Sequence, residues 1–599
     1  MCGIAGVLNI DSRLRVDQLR DLTSAMAASM GHRGPDDHGV WVSDDGFCAL
    51  AHRRLSVIDT SNAGHQPMLN GDHALVFNGE IYNFQTLGAC ATSQGRRFNG
   101  HSDTEVLLDG LGYEGHHFIT RLDGMFAFGW YDITRSELTL ARDPFGEKPL
   151  YYCMQNGLFA FASELQALTL LPGFDATISK ANIATYLAFQ HPPAPYTIYK
   201  NCSKLLPGTY LRVNRQGIGE ACGYFQFLTD STPSGLSLDE QTDQLEELMV
   251  DSLQRRLISD VPLGAFLSGG VDSSTAVALV TQKMGRNLKT FSVGFKGVPE
   301  SEHLEARFMA ERLGTEHYDE MIDPAEYGAY ADLAAAMDEP NADSSCVPTH
   351  AISGLARRYV TVALTGDGGD EMFGGYQRYY DCIEAATDHA NDILARRWHI
   401  GRDYTYRVLV YNDAQLAGLF GEVPSATVDY FMQWRRRIDL DSRPVLNRLR
   451  EMDVANYLPL VLAKVDRMSM QHSLECRTPY LSPELAQFAA GLAPDRLTQQ
   501  GKAKFLLRNL AKRYLPAEWI DRKKKGFGVD PMNDIARTSV IDRLAALLEE
   551  PECCLKDLLP PQALSDFVSG PLRQLGFYHA WSLLVLELWL RSHPWRAEA

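Results

Sequence analysis

Cys2 stands directly behind Met1 and opens an apolar, β-prone run, GIAGVLNI. A methionine followed by a small residue is normally removed, and the chain would then begin with Cys2. One residue would carry both a thiol and a free α-amine, whose ordinary pKa is about 8. The amine can take the thiol proton directly or through a water, so nucleophile and base arrive together. The alternative is a strand cysteine at a chain terminus, and Cys2 alone does not decide between the two. Downstream, polar residues interrupt strand-like text: His32-Arg33-Gly34-Pro35-Asp36, His52-Arg53-Arg54, Asn78-Gly79-Glu80 and Ser102-Asp103-Thr104-Glu105. An Arg can grip a carboxylate with two hydrogen bonds. An Asn-Gly pair can offer an amide and a backbone N–H to a developing oxyanion, and an Asp can hold an α-ammonium group. Those are the groups needed to bind a free amino acid and cleave its side-chain amide. Taken singly, Asn78-Gly79 also reads as a hairpin turn and Asp103 as a helix cap.

A second group of chemistry-bearing residues begins at Leu263, in LGAFLSGGVDSSTAVALV. An apolar strand-like run ends in Ser268-Gly269-Gly270 and passes through Asp272, Ser273 and Ser274 into helix-like text. Two glycines let the backbone close around an anion, with hydroxyls and free helix N–H groups aimed at it. The spacing is neither that of the ATPase loop with its terminal Lys-Ser/Thr nor the dinucleotide fingerprint. A pyrophosphate site for ATP is the expectation. Gly366-Asp367-Gly368-Gly369-Asp370-Glu371 follows another short apolar run. Facing a triphosphate, carboxylates in such text suit Mg²⁺, and Asp272 and Asp370 are the expected metal and pyrophosphate residues. Lys502 and Lys504 open a helical run, where a lysine can stabilise phosphate charge.

These residues need two kinds of scaffold. Up to residue 215, alternating apolar stretches such as GMFAFGWYD and ELTLARD, broken by Asn, Gly and Asp turns, predict a sheet-rich domain. DSTPSGLSLDE, Asp230 to Glu240, carries the weakest composition, and the linker is placed at residues 216–235. From 236 to 599, helical text alternates with short apolar strands (GAFLSGG, LKTFSVGF, VTVALTG), which is α/β text for a parallel sheet with ligands at the strands' C-terminal ends. A chain of 599 residues with 45% hydrophobic content suits two or three globular cores. A net charge of −18 argues against a nucleic-acid partner. The eleven cysteines lack metal-ligand spacing and fit reduced thiols. With no signal-peptide pattern and no membrane-length apolar stretch, the expected compartment is the cytoplasm.

Cys2-Gly3-Ile4, HRGPD, HRRLSVID, FNGEIYN and the SDTE segment resemble the N-terminal-nucleophile glutaminase domain of the class II glutamine amidotransferases. Joined to LSGGVDSS, LTGDGGDEMFGGY and LECRTPYL, nearly the whole chain resembles the glutamine-hydrolysing asparagine synthetase family. The resemblance implies an αββα sandwich followed by an adenine-nucleotide α-hydrolase fold with a PP-loop, α/β in class, with ATP and Mg²⁺ as cofactors. In the first domain it implies Cys2 as nucleophile, Arg54 rather than Arg53 on the glutamine α-carboxylate, Asn78 and Gly79 as oxyanion hole, and Glu80 and Asp103 completing the substrate site. In the second it implies Ser268, Gly269, Gly270, Asp272 and Ser273 as the pyrophosphate loop and Val293 and Gly366 near the nucleoside. Counting back from Arg508, Lys504 and not Lys502 matches the catalytic lysine. Asp367 falls near the reacting carboxylate, where some relatives carry Glu with one more methylene of reach. Glu302 and Asp343 are candidates for holding the acceptor, and the KKKGF segment from Lys523 resembles a lid. The implied activity is amidation of aspartate by ammonia from glutamine, through β-aspartyl-AMP, with an internal passage for ammonia. The alternative is the same chemistry on another carboxylate, such as a sugar acid, a natural-product intermediate or a peptide. Partners are the small molecules glutamine and aspartate, with neither nucleic acid nor membrane, and a homodimer is compatible with this reading.

Overall fold

The computed structural model describes residues 1–229, 235–298, 302–388, 393–439, 443–499, 501–522, 533–569 and 576–598. The KKKGF segment lies outside the described residues.

The N-terminal part is built from two stacked antiparallel sheets. In the first, the strand Gly3–Asn9 runs between Cys48–Arg54 and Leu158–Ala162, so the residue preceding it, Cys2, emerges from the middle of a six-stranded sheet. In the second, His73–Ile81 pairs along its whole length with Gly124–Asp132. Ile4, Leu8, Leu50, Val76, Ala127 and Phe161 fill the space between the sheets. Helices cover both outer faces. Val16–Ser29 lays Leu19 and Met26 on the first sheet, and Asp103–Glu114 lays Leu107 and Leu111 against Phe77 and Phe128 of the second. With both faces covered, GMFAFGWYD is buried at every position although the strand exposes alternate residues to opposite sides. Gly217–Ile218 and Cys222–Gly223, inside the span read as linker, both pair with Thr209–Asn214 and extend the second sheet.

The second part centres on a five-stranded parallel sheet in the spatial order Glu316–Ile322, Lys289–Phe295, Leu263–Phe266, Val362–Leu364, Glu475–Arg477. The chain order reverses between Leu263–Phe266 and Val362–Leu364. That reversal opens a crevice beyond their C-terminal ends, the usual ligand position in such sheets. Helices pack around it, and one apolar core runs without a break from Leu19 and Met26 of the sandwich to Leu253 of the helix Leu238–Arg256 and Phe291 of the parallel sheet. Arg596–Ala597 near the C-terminus pairs with Thr177–Ile178. All eleven cysteines are unbridged. No helix among the described residues is long and apolar enough to cross a membrane.

Candidate functional site

Asn78 and Gly79 lie in the middle of a strand, paired with Ala127 and Phe126, so the hairpin alternative falls away. Asn78 Oδ1 accepts a 2.8 Å hydrogen bond from the Cys2 backbone N–H. That contact points the amide nitrogen the other way, and Asn78 Nδ2 is buried without a partner among the described residues. Gly79 has φ +154°, and a Cβ there would lie 2.0 Å from the Met125 carbonyl oxygen, so the position excludes any side chain. Cys2 is buried, with Sγ 3.9 Å from the Leu55 carbonyl; burial raises its thiol pKa, against the pull of the nearby chain-terminal ammonium. A buried thiol of this kind needs a base at hand to become a nucleophile.

Arg54 donates to the carbonyls of Ser61, at 3.0 Å, and of Ile58 and Asp59, bracing the turn that follows its strand. Its positive charge acts to lower the Cys2 pKa. Asp103 is the first helical residue of Asp103–Glu114, and the cap is its neighbour Ser102, which accepts from the Glu105 N–H. Asp103 itself accepts from the Ile81 N–H at 2.8 Å, and burial raises its pKa to about 6. Glu80 is buried beside Arg477, 3.6 Å away, and burial together with Glu475 and Asp103 raises its pKa well above the carboxylate range.

At the crevice of the parallel sheet, the helix Val271–Ala278 starts immediately after Gly270. Ser268 Oγ and Ser273 Oγ lie 3.1 Å apart, and Ser268 Oγ accepts from the Gly270 N–H at 3.2 Å, which closes the turn. Gly269 has φ +75°, and a Cβ would meet Glu305 at 2.6 Å, so glycine is required on both counts. Gly366 on the neighbouring loop packs close enough that a Cβ would touch Asp272 at 3.3 Å. Val293 is buried in the adjacent strand.

Lys504 joins these loops. Its ammonium lies 2.5 Å from Asp272 Oδ2 and 2.8 Å from Asp370 Oδ1, with the side chain only 3% exposed. Burial opposes its charge, but Asp272 and Asp370 together outweigh that and raise its pKa. The residue adopts a left-handed backbone (φ 58°) just before the helix Phe505–Ala511, a conformation that costs a non-glycine residue energy and aims the side chain inward. Lys502 instead pairs at the surface with Asp521.

No group of three or more metal-capable side chains occurs among the described residues. Two converging carboxylates nevertheless suit Mg²⁺, which takes one or two carboxylates and completes its shell with phosphate and water oxygens. Glu302 precedes the helix His303–Leu313, whereas Asp343 accepts from the Ser345 N–H at 2.9 Å and faces Lys464 Nζ at 3.7 Å.

Several buried charges that join the two parts had no role in the sequence reading. Arg33 donates to the Cys2 carbonyl at 3.0 Å and to Asp466 at 2.8 and 3.1 Å. Glu475 accepts from the Met1 ammonium at 2.8 Å and from Arg477 at 2.7 Å. A cavity of about 20 Å³ lies between Met1 on one side and Thr365, Asp367 and Thr478 on the other, with Glu147 and Lys148 in its wall. HRGPD and LECRTPYL contain Arg33, Glu475 and Arg477, and charged residues inside strand-like text were the available signal.

Residues 244–591 match the family described as asparagine synthase, and residues 1–224 match that described as glutamine amidotransferase domain. The chain is 32% identical over 562 residues to "Asparagine synthetase [glutamine-hydrolyzing] 1" of Bacillus subtilis (strain 168), covering 88% of this chain and 87% of that protein. It is 27% identical over 605 residues to "Amidase chry2" of Gibberella zeae, covering 88% of each. Among solved structures, glutamine phosphoribosylpyrophosphate amidotransferase from B. subtilis aligns at 18% identity with a TM-score of 0.29, over 53% of this chain and 65% of that one. By its two family matches and by identity along most of its length, the chain belongs to the glutamine-hydrolysing asparagine-synthetase-like family, enzymes of the glutamine-amidotransferase and ligase type.

Proposed function

We propose that this chain amidates the β-carboxylate of L-aspartate, using ammonia released from glutamine at Cys2 and activation by ATP, with β-aspartyl-AMP as intermediate and AMP and pyrophosphate as products. The observation that carries the reading is the Lys504 ammonium held between Asp272 and Asp370, in the first turns of helices that follow adjacent parallel strands at the sheet's reversal. An acyl-adenylate needs positive charge where the α-phosphate is attacked, and a lysine already oriented there supplies it without reorganisation.

In the glutaminase half, loss of Met1 frees the Cys2 amine, which takes the thiol proton; the thiolate attacks the γ-amide carbon. The unpartnered Asn78 Nδ2 and the Gly79 N–H receive the oxyanion, while Arg54, Glu80 and Asp103 hold the amino-acid end of glutamine. In the synthetase half, Ser268, Gly269, Gly270, Asp272 and Ser273 cradle pyrophosphate, and Val293 and Gly366 flank the nucleoside. Mg²⁺ held by Asp272 and Asp370 would neutralise departing pyrophosphate charge. Asp343 and Lys464 present opposite charges for a zwitterionic acceptor, and Asp367 lies where ammonia meets the activated carboxylate. The halves divide beyond Gly223, the last residue paired into the sandwich, and the cavity lined by Met1 and Asp367 would serve as the ammonia passage.

The second reading, amidation of a different carboxylate, draws support from a relative of equal coverage that is named an amidase. Pyrophosphate release with ATP and Mg²⁺ separates the two. L-Aspartate should stimulate it, D-aspartate and succinate far less; stimulation only by a sugar acid or peptide would favour the second reading.

A further inference from the structure

A second cavity, of about 40 Å³, neighbours the one lined by Met1 and Asp367, and Glu147 and Asp466 form part of both walls. It has room for roughly three water-sized molecules. Its lining is heavily charged, and most of that charge is committed. Lys204 Nζ pairs with Glu339 Oε2 at 2.5 Å, Arg467 with Asp338 at 2.5 Å, and Asp466 with Arg33 at 2.8 Å. Arg142 donates to the carbonyls of Lys148, Leu205 and Gly146 at 2.7, 2.8 and 3.0 Å.

Two lining groups are different. His191 is 6% exposed and donates Nδ1–H to the Phe189 carbonyl at 3.1 Å, which leaves Nε2 as a lone-pair acceptor, buried and without a partner among the described residues. Burial, then the Lys204 charge, lowers its pKa to about 3, so the ring stays neutral and Nε2 stays an acceptor. Glu147 is 5% exposed, and its carboxyl likewise makes no hydrogen bond among the described residues. Burial and the neighbouring Asp143 raise its pKa to about 8, so near neutral pH it carries a proton it can give up and recover. The chamber therefore presents a buried acceptor without a partner among the described residues, which is costly to leave unmade, and a carboxyl that burial keeps protonated.

The geometry points to a holding site for ammonia in transit, in which Glu147 gives one proton to NH₃ and His191 Nε2 accepts a hydrogen bond from the ammonium that results. The step balances: carboxylic acid plus ammonia becomes carboxylate plus ammonium, and the same proton returns to Glu147 when NH₃ moves on. Ammonium paired to a buried carboxylate cannot diffuse out through an apolar core, whereas free ammonia can. The inference rests on the reading that ammonia travels from Cys2 toward Asp367.

The test has two arms on the full chain. In the first, glutamate released per amide formed is measured with saturating glutamine, ATP and acceptor. Glu147→Gln, which keeps size and loses proton exchange, should raise that ratio at least twofold over wild type, and Glu147→Asp should recover part of the loss. In the second, wild-type crystals are soaked in a thallium(I) salt, an ammonium-sized cation with strong anomalous scattering. A peak between Glu147 and His191 is expected. An unchanged ratio in a folded Glu147→Gln enzyme, or no thallium in the chamber, overturns the proposal. Failure of the underlying reading looks different, because wild type itself would then form no amide from glutamine.

Discussion

The Met1 ammonium and Oε2 of Glu475 lie 2.8 Å apart with both side chains fully buried, an ion pair between the first residue and one 474 positions on. It puts the chain terminus at the junction of the two halves, beside Cys2 and on the cavity that Asp367 also lines. A buried charge is tolerated only when paired, and Glu475 has a second partner in Arg477, at 2.7 Å, so it keeps a counter-ion when Met1 is removed.

The first expectation follows from that pairing. Intact-mass measurement of active enzyme should give a chain beginning at Cys2. A chain that keeps a residue ahead of Cys2 has no free amine to act as base and should lose glutaminase turnover by about 100-fold or more. Full turnover with Met1 retained would refute the role of the amine.

Lys504→Met should remove acceptor-dependent pyrophosphate release by roughly 100- to 1000-fold, the scale on which one oriented electrostatic donor acts. Glutamate production from glutamine should persist, because Cys2 and Asn78 do not touch Lys504. Lys504→Arg is not expected to restore the activity, since the ammonium fits between two carboxylates at 2.5 and 2.8 Å. Comparable pyrophosphate release from wild type and Lys504→Met would remove the lysine from the mechanism.

Gly79→Ala places a methyl 2.0 Å from the Met125 carbonyl oxygen, so the two paired strands must part. The substitution should cost roughly 1–3 kcal/mol of stability and, by moving Asn78, most glutaminase activity. Denaturant titration alongside glutamate release checks both, and a variant as stable and as active as wild type would contradict the strand geometry.

Asp103 carries a testable pH signature. Its pKa rises by burial from an ordinary 3.8 to about 6, so the folded chain holds a proton that the unfolded chain releases. Folded protein binds more protons between those two values. The stability contribution is therefore complete below about pH 4, falls as pH rises through 6, and is absent above. Asp103→Asn, which cannot titrate, should show a shallower loss of stability between pH 4 and 7 than wild type, read as a difference in denaturant midpoints. Parallel profiles would contradict the assignment.

Local patterns were enough to read the strand–turn–helix around Gly269 and the sheet text around Asn78, each set by residues within a few positions of one another: glycines at a tight turn, alternation along a strand. The choice of Lys504 over Lys502 came from the family resemblance and not from local pattern. Arg33, Glu475, Asp466 and Arg467 were not legible as a group. Their pairings span up to 474 residues, and no local spacing marks a charge whose partner lies more than a hundred residues away. Glu147 was hidden differently. It sits in the turn after Arg142, and only the folded chain shows that this turn borders two cavities. The span read as linker was misleading in part because Gly217–Ile218 and Cys222–Gly223 are strands of only two residues, too short to show alternation.

The most direct test of the whole account follows nitrogen. Enzyme is given glutamine labelled with ¹⁵N at the side-chain amide, ATP, Mg²⁺ and L-aspartate, and the product is read by mass spectrometry, for wild type and for Cys2→Ala. The account predicts ¹⁵N-asparagine with matching AMP and pyrophosphate from wild type, and, from Cys2→Ala, asparagine only when ammonium salt replaces glutamine. Wild type that hydrolyses glutamine and releases pyrophosphate yet transfers no label to aspartate would contradict it.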